Sequence, residues 1–258
     1  MADNNALQNK DEVSALARGL ALVRAVANAS QPLSNRELVE ATGIPKATIS
    51  RLAATLVAAG YLRQAVDSER FSLGAALLEL GNAYLRNFDF RNQARPHLAQ
   101  LAEIAGANVH LGVRDGLDIL LIDTLKPRSA LILSRMDVGS RMAIATSAAG
   151  RAYMASLPND ERTALMAQLL AVSADPAALQ ARLDEAFSEY ARLGFCTSFG
   201  EWHPDIHALG FTLRGPRGEL YAVSCGGPAF KLSREMLLEK VAPKLLETQL
   251  AVAREMGI

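Results

Sequence analysis

Two short amphipathic segments joined at a single glycine lie between Ser34 and Arg63. Ser34 and Glu37 have the S-x-x-E spacing of a capping box, which predicts that a helix begins there. Gly43 can adopt a positive φ and end that helix, and Pro45 can open the next one because a first-turn residue needs no amide donor. The pattern therefore predicts two helices that meet at a tight turn, which is a helix-turn-helix.

The second predicted helix has two different faces. At about 100° per residue, an apolar face collects around Ile49 and includes Pro45, Leu52, Ala53 and Leu56. The opposite face is small, hydroxylated or cationic, which suits a helix whose backbone must approach base edges closely. We therefore expect contacts with the major groove of DNA from Lys46, Thr48, Ser50 and Arg51. We expect contacts with phosphates from Arg36, Thr55 and Arg70.

A short hairpin, or wing, is predicted after the second helix. Residues 61–63 and 70–73 alternate in polarity around a turn at 66–69. A helical subdomain with merely solvated charges is the alternative, because helix-turn-helix patterns also occur without DNA. Residues 1–74 contain eight Lys and Arg against seven Asp and Glu, so no strong basic field supports DNA binding. Few phosphate-facing cations per chain imply that more than one copy binds.

The bulk composition is that of a packed protein with room for two domains. The chain has 258 residues, of which 50% are hydrophobic and 21% charged, and its 27 basic and 27 acidic side chains balance. The polar start carries no secretory signal, and no run reaches the roughly 20 apolar residues of a membrane span. Cys196 and Cys225 are the only cysteines, which argues against a disulfide framework. We therefore expect a cytoplasmic location.

Helices and strands mix in the rest of the chain without a regular βαβ alternation, so we expect an α+β fold with a largely antiparallel sheet. Further helices are predicted at 14–29, 74–87, 90–105, 148–157, 159–170, 176–193 and 233–256. Strands are predicted at 108–114, 118–125, 131–136, 195–198, 207–214 and 220–225. In the first helix, the predicted packing stripe is Leu16, Leu20, Val23 and Ala27. The helix at 74–87 is either a linker helix buried against a partner chain or a core helix of its own domain, since a leucine stripe is consistent with both.

Four segments follow one another along the chain: LARGLALVRAVA, LSNRELVEATGIPKATISRLAATLVAAGYL with its wing ending in FSLG, VGSRMAIATSAAGRAYMAS, and HALGFTLRGPRGELYAVSCGGP. In these segments and their order, the chain resembles the IclR family of bacterial transcriptional regulators over essentially its whole length. The resemblance implies a winged helix-turn-helix that binds operator DNA at 1–74, a dimerising linker helix at 75–88, and a GAF-like α/β effector-binding domain at 89–258. It also implies a homodimer or a dimer of dimers.

The resemblance further implies an effector site against the sheet, capped by the loop at 137–146. By alignment of the motifs, the effector contacts would be Gly139, Met142, Ala145, Ser198, Ala208, Ser224 and Gly226. Relatives that bind small 2-oxo acids carry Cys and Ser where this chain has Ala208 and Gly226, and Thr212 replaces a common Pro. We therefore expect an enlarged, less polar cavity and a larger ligand, an aromatic or hydroxylated carboxylic acid flanked by Trp202.

The segment at 200–207 concentrates chemically active side chains, since it holds the only Trp, two of the four His and two carboxylates. His203 and His207 are four residues apart, but Pro204 interrupts a helix there and no further Cys/His pair has metal-ligand spacing. No metal or other cofactor is therefore predicted. One or both imidazoles, His207 in particular, are expected to recognise the ligand, and the alternative is an ordinary structural histidine.

Catalysis is the competing functional hypothesis. Cys225, beside two glycines, has the composition of a nucleophile with nearby amides for an oxyanion. Strand alternation opposes this hypothesis, because Cys225 would face away from a ligand that contacts Ser224. The sequence thus favours a ligand-responsive regulator of a catabolic operon. A metabolite-binding protein or small-acid enzyme with a helix-turn-helix interaction module is the alternative.

Overall fold

A computed structural model describes residues 13–128 and 136–257. The chain divides into two compact units, one ending at Asn87 and the other beginning at Phe88. The helix predicted as a linker falls in the first unit. The predicted strand at 131–136 lies outside the described residues except for Met136. No helix within the described ranges has both the length and the apolar character needed to cross a membrane.

The first unit is a winged helix-turn-helix followed by one more helix. Its elements are α1 (Ser14–Asn28), α2 (Asn35–Thr42), α3 (Lys46–Ala58), β1 (Leu62–Gln64), β2 (Phe71–Leu73) and α4 (Ala76–Arg86). Ser34 and Glu37 form the predicted capping box, and Gly43 ends α2 with φ of 68°. Strands β1 and β2 pair antiparallel, which confirms the wing.

The core of the first unit lies between α1, α2, α3 and the wing. It includes Leu22, Leu38, Ile49 and Phe71. The predicted stripe of α1 is wrong in part, because Leu16 and Leu20 are exposed while Gly19, Leu22 and Val26 are buried. Apolar residues occur on more than one side of α1, so the docking of α2 and α3 decides which side is covered. Pro45, expected on the apolar face of α3, is also exposed as the N-cap residue.

The second unit contains a six-stranded sheet in the order β5-β4-β3-β8-β7-β6, with every neighbouring pair antiparallel. Its strands are β3 (Asn108–Asp115), β4 (Asp118–Leu125), β5 (Arg141–Ala143), β6 (Cys196–Phe199), β7 (Ile206–Arg214) and β8 (Leu220–Pro228). Its helices are α5 (Asp89–Ala105), α6 (Ala148–Ala155), α7 (Asn159–Val172), α8 (Pro176–Leu193), α9 (Arg234–Met236), a π-helical turn (Leu237–Val241) and α10 (Ala242–Met256). The α+β class is confirmed, and β5 is a strand inside the predicted loop.

Helices cover both faces of this sheet. Phe90 of α5 stacks on Tyr221 of β8, with ring centroids 4.4 Å apart. Tyr221 and Ser224 are three positions apart on β8, so their side chains point to opposite faces. The Ser224 face is covered in part by α6, which contacts β7 and β8. The remainder of that face borders a cavity.

Candidate functional site

The outward face of α3 is free of the core of its own unit. Ile49 is 0% exposed and Ala53 is 1% exposed, so the apolar face packs inward. On the other side Thr48 is half-buried, and the exposed residues are Lys46, Ala47, Ser50, Arg51, Ala54 and Thr55. Within the described part of the chain, no carboxylate pairs with Lys46 or Arg51. This side of α3 therefore presents two unneutralised cations next to small side chains.

The hydroxyl groups on α3 are partly engaged by the helix itself. Ser50 Oγ donates to the carbonyl of Lys46, and Thr55 Oγ1 donates to the carbonyl of Arg51, both over 3.1 Å. Their oxygens remain able to accept hydrogen bonds. Arg36 on α2 is 88% exposed and pairs with Glu40 at 2.9 Å, which is a weak surface interaction.

Arg70 lies at the start of the wing strand β2 and contacts the beginning of α2. It donates to Glu37 Oε2 over 2.9 Å and to the carbonyl of Pro32 over 2.7 Å. Hydrogen bonds from Ser34, and then from Arg70, lower the pKa of Glu37 to about 2. The predicted phosphate contact is therefore a partly exposed guanidinium that is already paired with a carboxylate. Arg63 on β1 was not singled out from the sequence, yet it is exposed and without an acidic partner among the described residues.

A cavity of about 330 Å³ opens on the Ser224 face of the sheet, between the start of α6 and the loop at 200–206. Cross-strand register builds its floor from two rows of side chains. One row runs Ser198, Ala208, Gly226, Asn108 across β6, β7, β8 and β3. The next row runs Gly210, Ser224, His110, Thr124 across β7, β8, β3 and β4. Ser198, Ala208, Gly226 and Ser224 have short side chains or none, which leaves space above the strands, whereas Gly210 lies under the start of α6.

Gly226 allows β7 and β8 to lie close together. It does not enlarge the cavity, which differs from the expectation from the sequence. A Cβ atom at this position would lie 2.5 Å from Ala208 Cβ and 2.5 Å from the carbonyl oxygen of His207. No side chain fits there while β7 and β8 keep this spacing. The absence of a serine hydroxyl at Gly226 is therefore a consequence of close strand approach.

Several predicted effector residues line the cavity, namely Met142, Ser198, Trp202, Ala208, Ser224 and Gly226. Gly139, Ala145 and His207 are not among the described lining residues. His207 precedes Ala208 on β7 and so points to the other face, where its Nδ1 lies 2.9 Å from the carbonyl of Leu232. Gly139 bonds through its amide to Leu121, and the carbonyl of Ala145 accepts from Arg151.

Sequence reasoning missed other lining residues, including Asn108, His110, Ser147, Ala148 and Ile206. His203, one of the two imidazoles expected to recognise the ligand, does line the cavity. Strand alternation gives little information on Ile206, because the loop before β7 decides which face of the sheet this residue points to. Asn108 and His110 reach the cavity because of the register between β3 and β8, and a single sequence does not reveal that register. Among the described lining residues there is no Lys, Arg, Asp or Glu.

The start of α6 forms one wall of the cavity. Ser147 caps this helix by accepting from the amide of Gly150 over 3.1 Å. The first-turn amides of Ala148 and Ala149 have no hydrogen-bond acceptor in the part of the chain described. The unpaired amide of Ala148, which lines the cavity, and the positive end of the helix dipole make this wall suitable for an anion.

Arg151 connects the elements around the cavity. The residue is 5% exposed, and its guanidinium donates to the carbonyls of Ala145 and Thr197 over 3.2 and 3.1 Å. Its guanidinium also lies 3.6 Å from Glu201, next to Trp202 in the loop at 200–206. One buried cation thus holds the loop before α6, strand β6 and the Trp202 loop together.

The proposed nucleophile is in the wrong place for attack on a molecule in this cavity. Cys225 is fully buried on the face opposite Ser224, and burial raises the pKa of its thiol to about 12. A thiol with that pKa carries almost no thiolate at neutral pH. Over residues 13–128 and 136–257, no group of three His, Cys, Asp or Glu side chains has the placement of a metal site.

Comparison with known proteins covers both units. Residues 15–65 match the IclR helix-turn-helix domain, and residues 82–254 match the bacterial transcriptional regulator IclR C-terminal domain. The HTH-type transcriptional regulator TsaQ1/TsaQ2 of Comamonas testosteroni is 30% identical over 248 residues, which cover 95% of this chain and 88% of that protein.

Solved structures show the same architecture. An IclR family transcriptional regulator from Brucella abortus is 33% identical, with a TM-score of 0.80 over 98% of this chain and 96% of that chain. An IclR homologue from Microbacterium hydrocarbonoxydans, solved with 4-hydroxybenzoate, shares the fold at 18% identity, with a TM-score of 0.75 over 94% of this chain and 99% of that one. This chain therefore belongs to the IclR family, whose members are DNA-binding transcriptional regulators that respond to small-molecule effectors and are not enzymes.

Proposed function

We propose that the outward face of α3 enters the major groove of an operator and reads base edges there. The supporting observation is the pair of exposed cations, Lys46 and Arg51, without acidic partners among the described residues. Arg51 is long enough to donate to a guanine, and small neighbours such as Ala47 and Ala54 let the helix approach closely. Thr48 and Ser50 supply hydroxyl oxygens beside it.

Phosphate contacts supplement this base readout in our proposal. Arg36 and Thr55 are exposed beside the α3 face, and Arg63 adds a free cation on the wing. Arg70 holds the wing in position through Glu37, so its effect on binding is indirect.

Selection of duplexes from a random library, followed by footprinting, tests the proposal that α3 recognises an operator. A protected sequence supports operator recognition, and failure to enrich any sequence would contradict it.

The cavity of the second unit, we propose, binds a small organic acid as effector. Its volume of about 330 Å³ lies in the range of ligand sites. The Ala148 amide at the start of α6 would donate a hydrogen bond to the carboxylate, because no described lining residue is a cation. Met142 and Trp202 give the rest of the cavity an apolar, aromatic character, which favours an aromatic acid. The relative that binds 4-hydroxybenzoate supports this ligand class.

The function in the cell that we propose is control of a catabolic operon in response to its own substrate acid. Binding of the acid would alter the affinity of the protein for operator DNA by stabilising a conformation whose affinity for DNA is different, and the coupling between the two sites would be reciprocal. Fluorescence anisotropy of a labelled operator, with and without benzoate or 4-hydroxybenzoate, measures that coupling. An operator affinity unchanged by saturating acid would contradict regulation through this cavity.

The functional assembly we propose is a homodimer or a dimer of dimers that uses α4. This helix has no buried residue, and it exposes Leu78 and Leu80 to solvent. Apolar side chains in such an arrangement are usually covered by another chain. Light scattering of the full chain should show a dimer or tetramer, and Leu80→Asp should shift it to the monomer. A monomeric full-length protein would contradict this assembly.

A further inference from the structure

Three polar side chains on the cavity floor are buried without complete hydrogen bonding. Asn108, His110 and Ser224 are 9%, 7% and 6% exposed. His110 has one described contact, from its Nδ1 to Thr124 Oγ1 at 3.2 Å. Within the described residues, the side-chain amide of Asn108, the Nε2 of His110 and the hydroxyl of Ser224 have no partner. The unpaired atoms of this cluster are open to the cavity that the three residues line, so a molecule bound in the cavity is in position to supply their partners.

Strand register brings the three groups together. His110 is directly opposite Ser224 in the antiparallel pair of β3 and β8. Asn108 is two residues from His110 on β3, so both side chains lie on the same face. All three residues line the cavity. The cluster is therefore a single polar patch in an otherwise largely apolar floor.

The imidazole in this patch is neutral at physiological pH. Burial, and then the nearby Lys126 ammonium, lower the pKa of His110 to about 4, against a smaller opposing effect of Asp137. Lys126 and Asp137 are the charged groups that face His110, and they pair with each other at 3.3 Å. A neutral imidazole presents one donor and one acceptor nitrogen, and the Asn108 amide offers both functions as well. None of the described lining residues is a cation that could hold a second carboxylate.

We propose that Asn108 and His110 form a subsite for a neutral hydroxyl group of the effector. A hydroxyl both donates and accepts, which matches the amide and the imidazole together. The effector is then a hydroxylated aromatic monoacid, with its carboxylate at the start of α6 and its hydroxyl against β3. This inference rests on the proposed function, because it takes the cavity to be the effector site.

Selectivity follows from the cost of leaving the patch unpaired. An acid of the same shape that lacks the hydroxyl would bury Asn108 and His110 without partners, and sites of this kind reject such analogues strongly. A dicarboxylate would place a second negative charge in a low-dielectric site whose described lining includes no counter-ion. The subsite thus selects one hydroxylated acid over both the unsubstituted acid and the diacid.

Titration of the full-length protein with benzoate and with the three monohydroxybenzoates tests this proposal. Trp202 is the only Trp of the chain and lines the cavity, so its emission reports occupancy. At least one hydroxybenzoate should bind at least 10-fold more tightly than benzoate. His110→Leu should reduce that preference to less than about threefold while benzoate still binds. His110→Gln keeps a neutral donor and acceptor and should retain part of the preference.

The outcomes separate the subsite from the proposed function. Equal affinity of the wild type for benzoate and for every hydroxybenzoate would overturn the subsite and leave the effector site standing. Saturable binding of none of these acids, by emission and by calorimetry, would overturn the aromatic-acid effector and the subsite with it. An undiminished preference in His110→Leu would remove His110 from the subsite. If His110→Leu does not fold, Asn108→Leu and His110→Gln make the same comparison.

Discussion

The Cβ atom that Gly210 lacks would lie 2.1 Å from the carbonyl carbon of Ala148. This distance shows that the first turn of α6 rests directly on the backbone of β7. A similar contact occurs at Gly150 of α6, where an added Cβ would lie 2.4 Å from Ile144 Cα. The two glycines therefore fix the position of the amide that forms the proposed carboxylate site.

Gly210→Ala should lower the stability of the effector-binding unit and weaken acid binding. The added methyl cannot fit without moving α6, and overpacking of this kind costs about 1 to 3 kcal/mol. Urea unfolding and the Trp202 titration measure the two effects. Gly19→Ala is the control, because a Cβ on Gly19 in α1 meets nothing within 4 Å. A Gly210→Ala protein with wild-type stability and affinity would show that α6 is not fixed by this contact.

Glu201→Gln should speed release of the effector with little loss of stability. The Arg151–Glu201 pair holds the loop that carries Trp202, but Glu201 is partly exposed, so the pair contributes less than about 1 kcal/mol to folding. Stopped-flow emission of Trp202 gives the dissociation rate. Arg151→Met should instead lower the free energy of unfolding of the unit by about 3 to 5 kcal/mol, because it removes a buried guanidinium that connects three segments. Equal effects of the two changes on stability would contradict these separate roles.

Acid should destabilise the effector-binding unit through His110. Burial lowers the pKa of this imidazole from 6.5 to about 4. Between these pH values the unfolded chain binds a proton that the folded chain excludes, so the free energy of unfolding falls as pH falls from 6.5 towards 4. The full loss is about 3 kcal/mol. His110→Gln should remove this contribution to the pH dependence of urea unfolding, and identical slopes in the two proteins would contradict it.

Arg70→Met and Glu37→Gln should weaken DNA binding by similar factors. Both changes break the contact that positions the wing, and neither removes a phosphate contact, so the salt dependence of binding should keep its slope. Lys46→Ala, by contrast, should reduce that slope by about 1 if it contacts a phosphate. Anisotropy titrations from 50 to 200 mM salt, roughly, cover the informative range. A reduced slope in Arg70→Met, together with tighter binding by Glu37→Gln, would make Arg70 a phosphate contact after all.

Local signals were enough to predict the helix-turn-helix. The capping box at Ser34 and Glu37 and the turn at Gly43 depend on residues within one or two helical turns. Helix α8 was likewise predicted at both ends, where Asp175 caps it and Gly194 follows it with φ of 79°. Helix caps and turns that depend on residues close together in the chain can be predicted from a single sequence.

The cavity was predicted less completely because its floor depends on pairing between distant strands. Asn108 and His110 enter the cavity through their register with Gly226 and Ser224, more than 100 positions along the chain. Strand β5 has only three residues and is held by its pairing with β4. His207 was assigned to the ligand together with Ala208, although alternation allows only one of two neighbours to face it. That last error was avoidable from the sequence.

The most direct test of the account is the affinity of Arg51→Ala for a footprinted operator and for a scrambled duplex of the same length. Arg192→Ala, an exposed arginine on α8, is the control. If Arg51 reads a base edge, the variant should lose about 1 to 3 kcal/mol on the operator and much less on the scrambled duplex. An operator affinity equal to that of the wild type would contradict the proposal that this face of α3 recognises DNA.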